Sequence, residues 1–215
     1  MTRSAIFDLD ATLVDSQKVA AQSFIDAFHA CNLQGEPSVA SFLALSGIPL
    51  EEVCTQLALP LEAFPAQFRA ASRRRQHELT LFPGVGSILK LLYDHDVTLG
   101  IITSKDRART LETLALLDID QYFSCVVTPD DPPAPKPSPE GVLWICQMFD
   151  TASSETLVVG DSVLDIRAGR DAGAITVGCT WGVADREALA HVGADFVVES
   201  VDELTDLLRA TYGML

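Results

Sequence analysis

Residues 4–16 read Ser4-Ala5-Ile6-Phe7-Asp8-Leu9-Asp10-Ala11-Thr12-Leu13-Val14-Asp15-Ser16. The run from Ala5 is apolar without alternation until it meets an acid. A short, continuous apolar run suits a strand buried on both faces, so residues 4–9 are expected to form one. Further on, residues 97–103 (VTLGIIT), residues 123–128, Thr156–Gly160 (TLVVG) and Ile175–Cys179 have the same character. Helical periodicity fills the gaps at 85–95, 107–117, 139–149, 164–172 and 201–212. Strand and helix in alternation predict an α/β fold with a doubly wound parallel sheet.

One segment departs from that rhythm. Residues 17–81 show helical periodicity and no good strand. Ala20, Phe24, Ala27, Phe28 and Cys31 form one apolar stripe, and Phe64, Phe68 and Ala71 another. Pro37, Pro49, Pro60 and Pro65 divide the segment into short helices. The expected organisation is a core of residues 1–16 and 82–215, with a small helical cap domain at 17–81.

The chain has 215 residues, 48% of them hydrophobic, enough for one large core and a satellite. Its formal net charge of −15 repels nucleic-acid phosphates and anionic membranes, so neither is an expected partner. No apolar run reaches the roughly 20 residues of a membrane span, and Asp8 and Asp10 break the first apolar stretch, unlike a signal peptide. Five cysteines without a close pair suggest reduced thiols, and the expectation is a cytoplasmic protein. The four histidines form no metal-binding spacing.

In an open parallel sheet, ligands bind beyond the carboxyl ends of the strands. Those ends carry Asp8-Leu9-Asp10, then Thr103-Ser104-Lys105, then a loop with Lys136, then Asp161 with Asp165 four residues on. Asp8 and Asp10, two apart on an extended chain, should point the same way and repel, which a divalent cation would relieve. Asp161 could add a ligand and Asp165 could orient a metal-bound water. With only oxygen donors on offer, magnesium fits best. Lys136 and the Thr103 hydroxyl, with Ser104 beside it, could hold the oxygens of a phosphoryl group. Lys105 reads as a solvated residue at a helix start. Singly, each residue could be a turn or a helix cap; the ordered set at consecutive strand ends favours a site.

The sequences FDLDATLVDS, TSK, KPSP and GDSVLDI resemble the four motifs of the haloacid dehalogenase superfamily, and residues 17–81 resemble its C1 cap. Pro83-Gly84-Val85, Lys136-Pro137-Ser138-Pro139 and Gly178-Cys179-Thr180-Trp181-Gly182 are similar to the phosphoglycolate phosphatase-like branch. The resemblance implies a Rossmann-like core and a magnesium-dependent phosphatase acting on a small phosphorylated metabolite. It implies Asp8 as nucleophile and Asp10 as general acid and base, with the Asp10 backbone carbonyl on the metal. It further implies Thr103 and Lys136 on the phosphoryl group, Asp161 as a direct magnesium ligand, and Asp165 acting through water. That superfamily usually has Gly where Ala11 stands, and Ala11 is expected to allow a helical turn.

The leaving group stays open among phosphoglycolate, pyrophosphate, nucleotides and sugar phosphates. Asp10 argues against a dehalogenase, and the absence of His from residues 15–20 weakens a mutase reading. A non-enzymatic receiver module shares the residue types, but places its phosphorylated acid at a later strand. Lastly, if one helix runs unbroken from Phe64, Arg75 falls on the stripe of Phe68 and Ala71. There it either grips a substrate carboxylate across the cleft or pairs with a cap acid such as Glu51, Glu52 or Glu62.

Overall fold

The computed structural model describes residues 4–214. The chain opens with β1 (Ser4–Phe7) and β2 (Val14–Asp15), then four helices: α1 (Gln17–Ala30), α2 (Val39–Leu43), α3 (Leu50–Gln56) and α4 (Phe64–Arg74). After β3 (Thr80–Leu81) come α5 (Val85–Asp94), β4 (Thr98–Ile102), α6 (Arg107–Leu116), β5 (Phe123–Val127) and α7 (Glu140–Met148). The remainder is β6 (Thr156–Gly160), α8 (Val163–Asp171), β7 (Ile175–Cys179), α9 (Arg186–His191), β8 (Phe196–Val198) and α10 (Val201–Tyr212).

Six strands form one sheet in the order β5-β4-β1-β6-β7-β8, every pair parallel. The chain winds from β1 to β4 and β5 on one side, then crosses to β6, β7 and β8 on the other. The winding therefore reverses around β1, where a doubly wound sheet opens a crevice.

The unalternating apolar runs have a direct cause. Ala5, Phe7, Leu99, Ile101, Leu157 and Val159 join one apolar cluster with Ile88, Leu89 and Leu92 of α5 and Leu204 and Leu208 of α10. Ile6, Ile102 and Val158 join another, with Val142 and Ile145 of α7 and Ala168 of α8. Successive strand residues face opposite sides, so both faces of the sheet are covered. Each fully buried Leu, Ile or Phe there stabilises by roughly 1.5–3 kcal/mol.

α1 to α4 have their own apolar cluster, built on Phe24, Phe28, Phe42, Phe64 and Phe68. Phe24 stacks on Phe42 with ring centroids 4.5 Å apart and meets Phe64 at 5.6 Å. Two features differ from expectation. Residues 17–81 do contain a strand: β3 pairs antiparallel with β2, matching Val14 with Leu81 and Asp15 with Thr80. This ribbon ties together the two ends of the helical insert. α4 stops at Arg74, with Arg75 at its C-cap, so no unbroken helix runs through Arg75. Among the described residues, no helix is long and apolar enough to cross a membrane.

Candidate active site

Asp8 stands one residue past β1, Asp161 one past β6 and Thr103 one past β4. β1 lies between the other two strands, so these side chains meet at the reversal of winding. Lys136, from the loop after β5, is 5% exposed and places its Nζ 2.6 Å from Asp8 Oδ1 and 2.6 Å from Asp165 Oδ1. Asp165 is fixed by the start of α8: its Oδ2 accepts from the Ser162 backbone N–H at 3.0 Å and the Ser162 hydroxyl at 2.6 Å. Asp161 Oδ1 accepts from Thr12 Oγ1 at 2.8 Å, and its Oδ2 from the Val183 N–H at 2.8 Å. A Cβ on Gly182 would lie 2.2 Å from Asp161 Oδ2, so only glycine permits that approach.

Carboxylate oxygens of Asp8, Asp161 and Asp165 all lie within 4.8 Å of one another. Burial pushes the Asp8 carboxyl well above its ordinary value, more than Lys136 pulls it down, and Asp165 and Asp161 add to the rise. Burial, and then Asp165, push Asp161 up to about 6. Burial disfavours the Lys136 ammonium, but Asp165 and Asp8 outweigh it and hold the lysine charged. Three buried carboxylates thus share one ammonium. The donor set is all oxygen and in excess negative charge, which fits a hard divalent cation.

Asp10 takes a different partner. β1 ends at Phe7, although the Asp8 N–H still donates to the Val159 carbonyl and Asp10 bridges to Val14. The Asp10 carboxylate turns to Lys105, whose Nζ is 2.9 Å from Oδ1. It does not belong to the three-carboxylate group, and the expected like-charge pair with Asp8 is corrected accordingly. Burial would raise the Asp10 carboxyl, but Lys105, the Ser16 side chain and Arg109 together hold it below its ordinary value. Lys105 is not solvated either: its side chain is 8% exposed and also donates to Thr113. Thr103 Oγ1 accepts from the Lys105 N–H at 3.2 Å, which leaves the Thr103 hydroxyl proton for another acceptor.

Asp8, Asp10, Thr103, Lys105, Asp161 and Asp165 line a cleft of about 140 Å³ between the sheet and the insert. The insert supplies an apolar wall that includes Phe42, Leu45, Ile48, Val53 and Phe68. A model of the haloacid dehalogenase-like hydrolase family matches residues 5–179.

The chain belongs to the haloacid dehalogenase-like hydrolases.

It is accordingly an enzyme acting on phosphate esters. It is 30% identical to "Pyrophosphatase PpaX" of Anoxybacillus flavithermus over 96% of each chain. In structure it is similar to a hydrolase from Pseudomonas syringae, with TM-score 0.86 and 27% identity over 98% of this chain and 99% of that one. A predicted phosphoglycolate phosphatase from Haemophilus somnus shares the fold, with TM-score 0.84 and 24% identity over 96% of this chain and 97% of that one.

Within this hydrolase, Asp8, Thr103, Lys136, Asp161 and Asp165 come together as the strand ends predict. Ser104 lines the cleft, but its hydroxyl donates to the backbone carbonyl of Gly47 in the insert. A hydroxyl has one proton to give, so Ser104 joins the insert to the core rather than offering a donor to a phosphoryl group. Arg75 is elsewhere. Its Nη2 is 2.8 Å from Asp26 Oδ2, its Nη1 is 3.3 Å from Glu78 Oε1, and it does not line the cleft. Of the two roles left open for it, the structure shows the ion pair within the insert, with Asp26 and Glu78 in place of Glu51, Glu52 or Glu62, and not the grip on a substrate carboxylate. A turn does follow the strand, closed by the Leu13 N–H on the Leu9 carbonyl at 3.0 Å, but Ala11 enters it with φ of 63°, in the left-handed region.

Residues to which the sequence reading gave no part in the site include Thr12, Lys105, Ser162 and Arg109. The Ser-x-x-Asp spacing of Ser162 and Asp165 was a legible signal of a capping box. Nothing local marks Thr12 or Lys105 as partners of acids.

Proposed function

We propose that this hydrolase is a magnesium-dependent phosphatase of small phosphate compounds that works through an aspartyl phosphate on Asp8. The observation that carries the reading is Lys136, buried between Asp8 and Asp165 beside Asp161. Magnesium would be held by Asp8, Asp161 and the Asp10 backbone carbonyl, with Asp165 acting through water. When bound, it supplies positive charge to the phosphoryl oxygens.

Lys136 occupies Asp8 Oδ1, so Oδ2 attacks phosphorus. The bond from phosphorus to the leaving oxygen breaks and its electron pair stays on that oxygen; Asp10, whose carboxyl Lys105 holds low, relays to the alkoxide a proton taken from the substrate's phosphate monoanion. Asp10 then takes a proton from water, which attacks the aspartyl phosphate. The phosphorus bond to Asp8 breaks, which restores the carboxylate and releases inorganic phosphate, and the proton on Asp10 leaves with the product or to solvent. Thr103 and Lys136 hold the phosphoryl oxygens throughout. The insert acts as a lid that admits small substrates and excludes bulk water.

The branch resemblance favours phosphoglycolate-like esters, and the similarity to proteins named pyrophosphatase favours pyrophosphate as a second reading. The test is phosphate release from phosphoglycolate, pyrophosphate, nucleotides and sugar phosphates, with magnesium and with EDTA. Turnover should require magnesium, and Asp8→Asn should lower it at least about 10³-fold. Near wild-type turnover by purified Asp8→Asn protein would rule the mechanism out.

A further inference from the structure

Arg109 sits in the first turn of α6, 8% exposed, and lines the cleft. Its Nε donates to Asp106 Oδ2 at 2.6 Å, and its backbone N–H donates to Asp106 Oδ1 at 3.1 Å. Its guanidinium carbon lies 5.5 Å from the centroid of Phe68, on the cleft wall supplied by the insert. Two contacts therefore fix its plane, yet they use only one of its side-chain nitrogens.

Neither Nη1 nor Nη2 of Arg109 donates to a protein acceptor among the described residues. No buried side-chain nitrogen among those residues lacks a partner, so both terminal nitrogens must reach solvent. Arg109 is 8% exposed and lines the cleft, and we take the cleft as the space into which they open. Arg69, Arg73, Arg75, Arg107 and Arg186 each carry at least one terminal nitrogen on an acid or a carbonyl, and Arg74, Arg167 and Arg209, which show no such contact, are exposed where Arg109 is buried. The nearby lysines are also engaged, Lys105 with Asp10 and Lys136 with Asp8 and Asp165. Arg109 is thus a held cation with a free two-nitrogen edge in the cleft of a strongly acidic protein. Such an edge matches the two oxygens of a carboxylate or phosphate.

Resting on the phosphatase reading above, we propose that Arg109 is a specificity residue that binds a second anionic group on the substrate's leaving side. The favoured substrates are then phosphate compounds whose leaving group itself carries a carboxylate or a phosphate. The phosphoryl group under attack lies with Asp8, Thr103 and Lys136. Arg109 makes no hydrogen bond or ion pair with them; it lies against the insert's Phe68, on the Asp10 side of the cleft, where a leaving group can extend. Asp106 Oδ2 also accepts from Arg69 of the insert at 3.1 Å, so the seated lid and the aim of Arg109 share one carboxylate oxygen.

The experiment compares kcat/KM on phosphoglycolate, pyrophosphate and glycerol 1-phosphate, whose leaving group is neutral. It uses the wild-type chain, Arg109→Met and Arg109→Lys, with melting temperatures read on the same samples. Met keeps an apolar stem against Phe68, whereas Lys keeps the charge without the fork. Arg109→Met should lose about 30-fold more on at least one anionic substrate than on glycerol 1-phosphate, and Arg109→Lys should recover part of that difference. The substrate showing the selective loss tells whether carboxylate or phosphate is the group bound. Equal losses on all three would overturn the proposal and leave Arg109 a structural residue. A wild-type chain that hydrolyses none of them would overturn the phosphatase reading itself, and the role of Arg109 with it.

Discussion

The corner around Lys136 and the aromatic cluster of the insert are both buried, but opposite physics holds them. At Lys136 one ammonium faces two carboxylates at 2.6 Å each, with a third nearby. In the insert, Phe24, Phe42, Phe64 and Phe68 pack ring on ring, and of the four only Phe68 at the edge meets a charge, that of Arg109. The charged corner is balanced only as a set, because each buried charge depends on the others for compensation. The aromatic cluster gains from each ring separately, by area and by about 0.5–1.5 kcal/mol per well-placed pair. Removing one member should therefore fail differently in the two places.

The sharpest break is Lys136→Met. It leaves Asp8, Asp161 and Asp165 buried without their ammonium, and breaking such a set costs about 3–5 kcal/mol. Turnover should also fall at least about 10²-fold, since a charge on the phosphoryl oxygens is lost. Magnesium should restore part of the stability, so urea melts with and without it should differ more for the variant than for wild type. An equal magnesium effect on both proteins would count against the charge-set account.

Phe64→Ala is the matching break in the insert. Phe64 is fully buried, and truncating such a ring costs about 3–5 kcal/mol. That loss should fall on α1 to α4 and should not respond to magnesium. Limited proteolysis should cut residues 17–81 faster while the six-stranded core persists. Simultaneous digestion of core and insert would show that the two regions are one cooperative unit.

The smallest effect sharpens the comparison at the boundary between these regions. Ala11 holds a left-handed conformation that costs a non-glycine residue about 1–2 kcal/mol. Glycine removes that strain but adds freedom to the unfolded chain. Ala11→Gly should therefore stabilise by about 0.5–1 kcal/mol, a rise of roughly 1–4 °C in Tm. A lower Tm would mean that contacts of the Ala11 methyl outweigh the backbone strain.

Much of the core was legible because burial on both faces of a parallel sheet writes itself as unbroken apolar runs. Thr156–Gly160, Ile175–Cys179 and Val201–Tyr212 stand where the pattern places them. β8, β2 and β3 escaped because strands of two or three residues are too short to show a period. Arg75 was misplaced by extending a helical period one residue past the true end of α4.

By itself the sequence determined the strand ends and the acids and hydroxyls they carry. Direction along a strand and position past its end are local properties, set by the backbone and the apolar pattern. Only the tertiary structure decided which charge meets which. Lys105 neutralises Asp10 from 95 residues away, Ser104 reaches Gly47 across 57, and Arg75 finds Asp26 across 49. Periodicity tells which face a side chain takes, but an ion pair needs two atoms within about 4 Å. That distance depends on how separate elements pack, and the same packing leaves the terminal nitrogens of Arg109 open to the cleft.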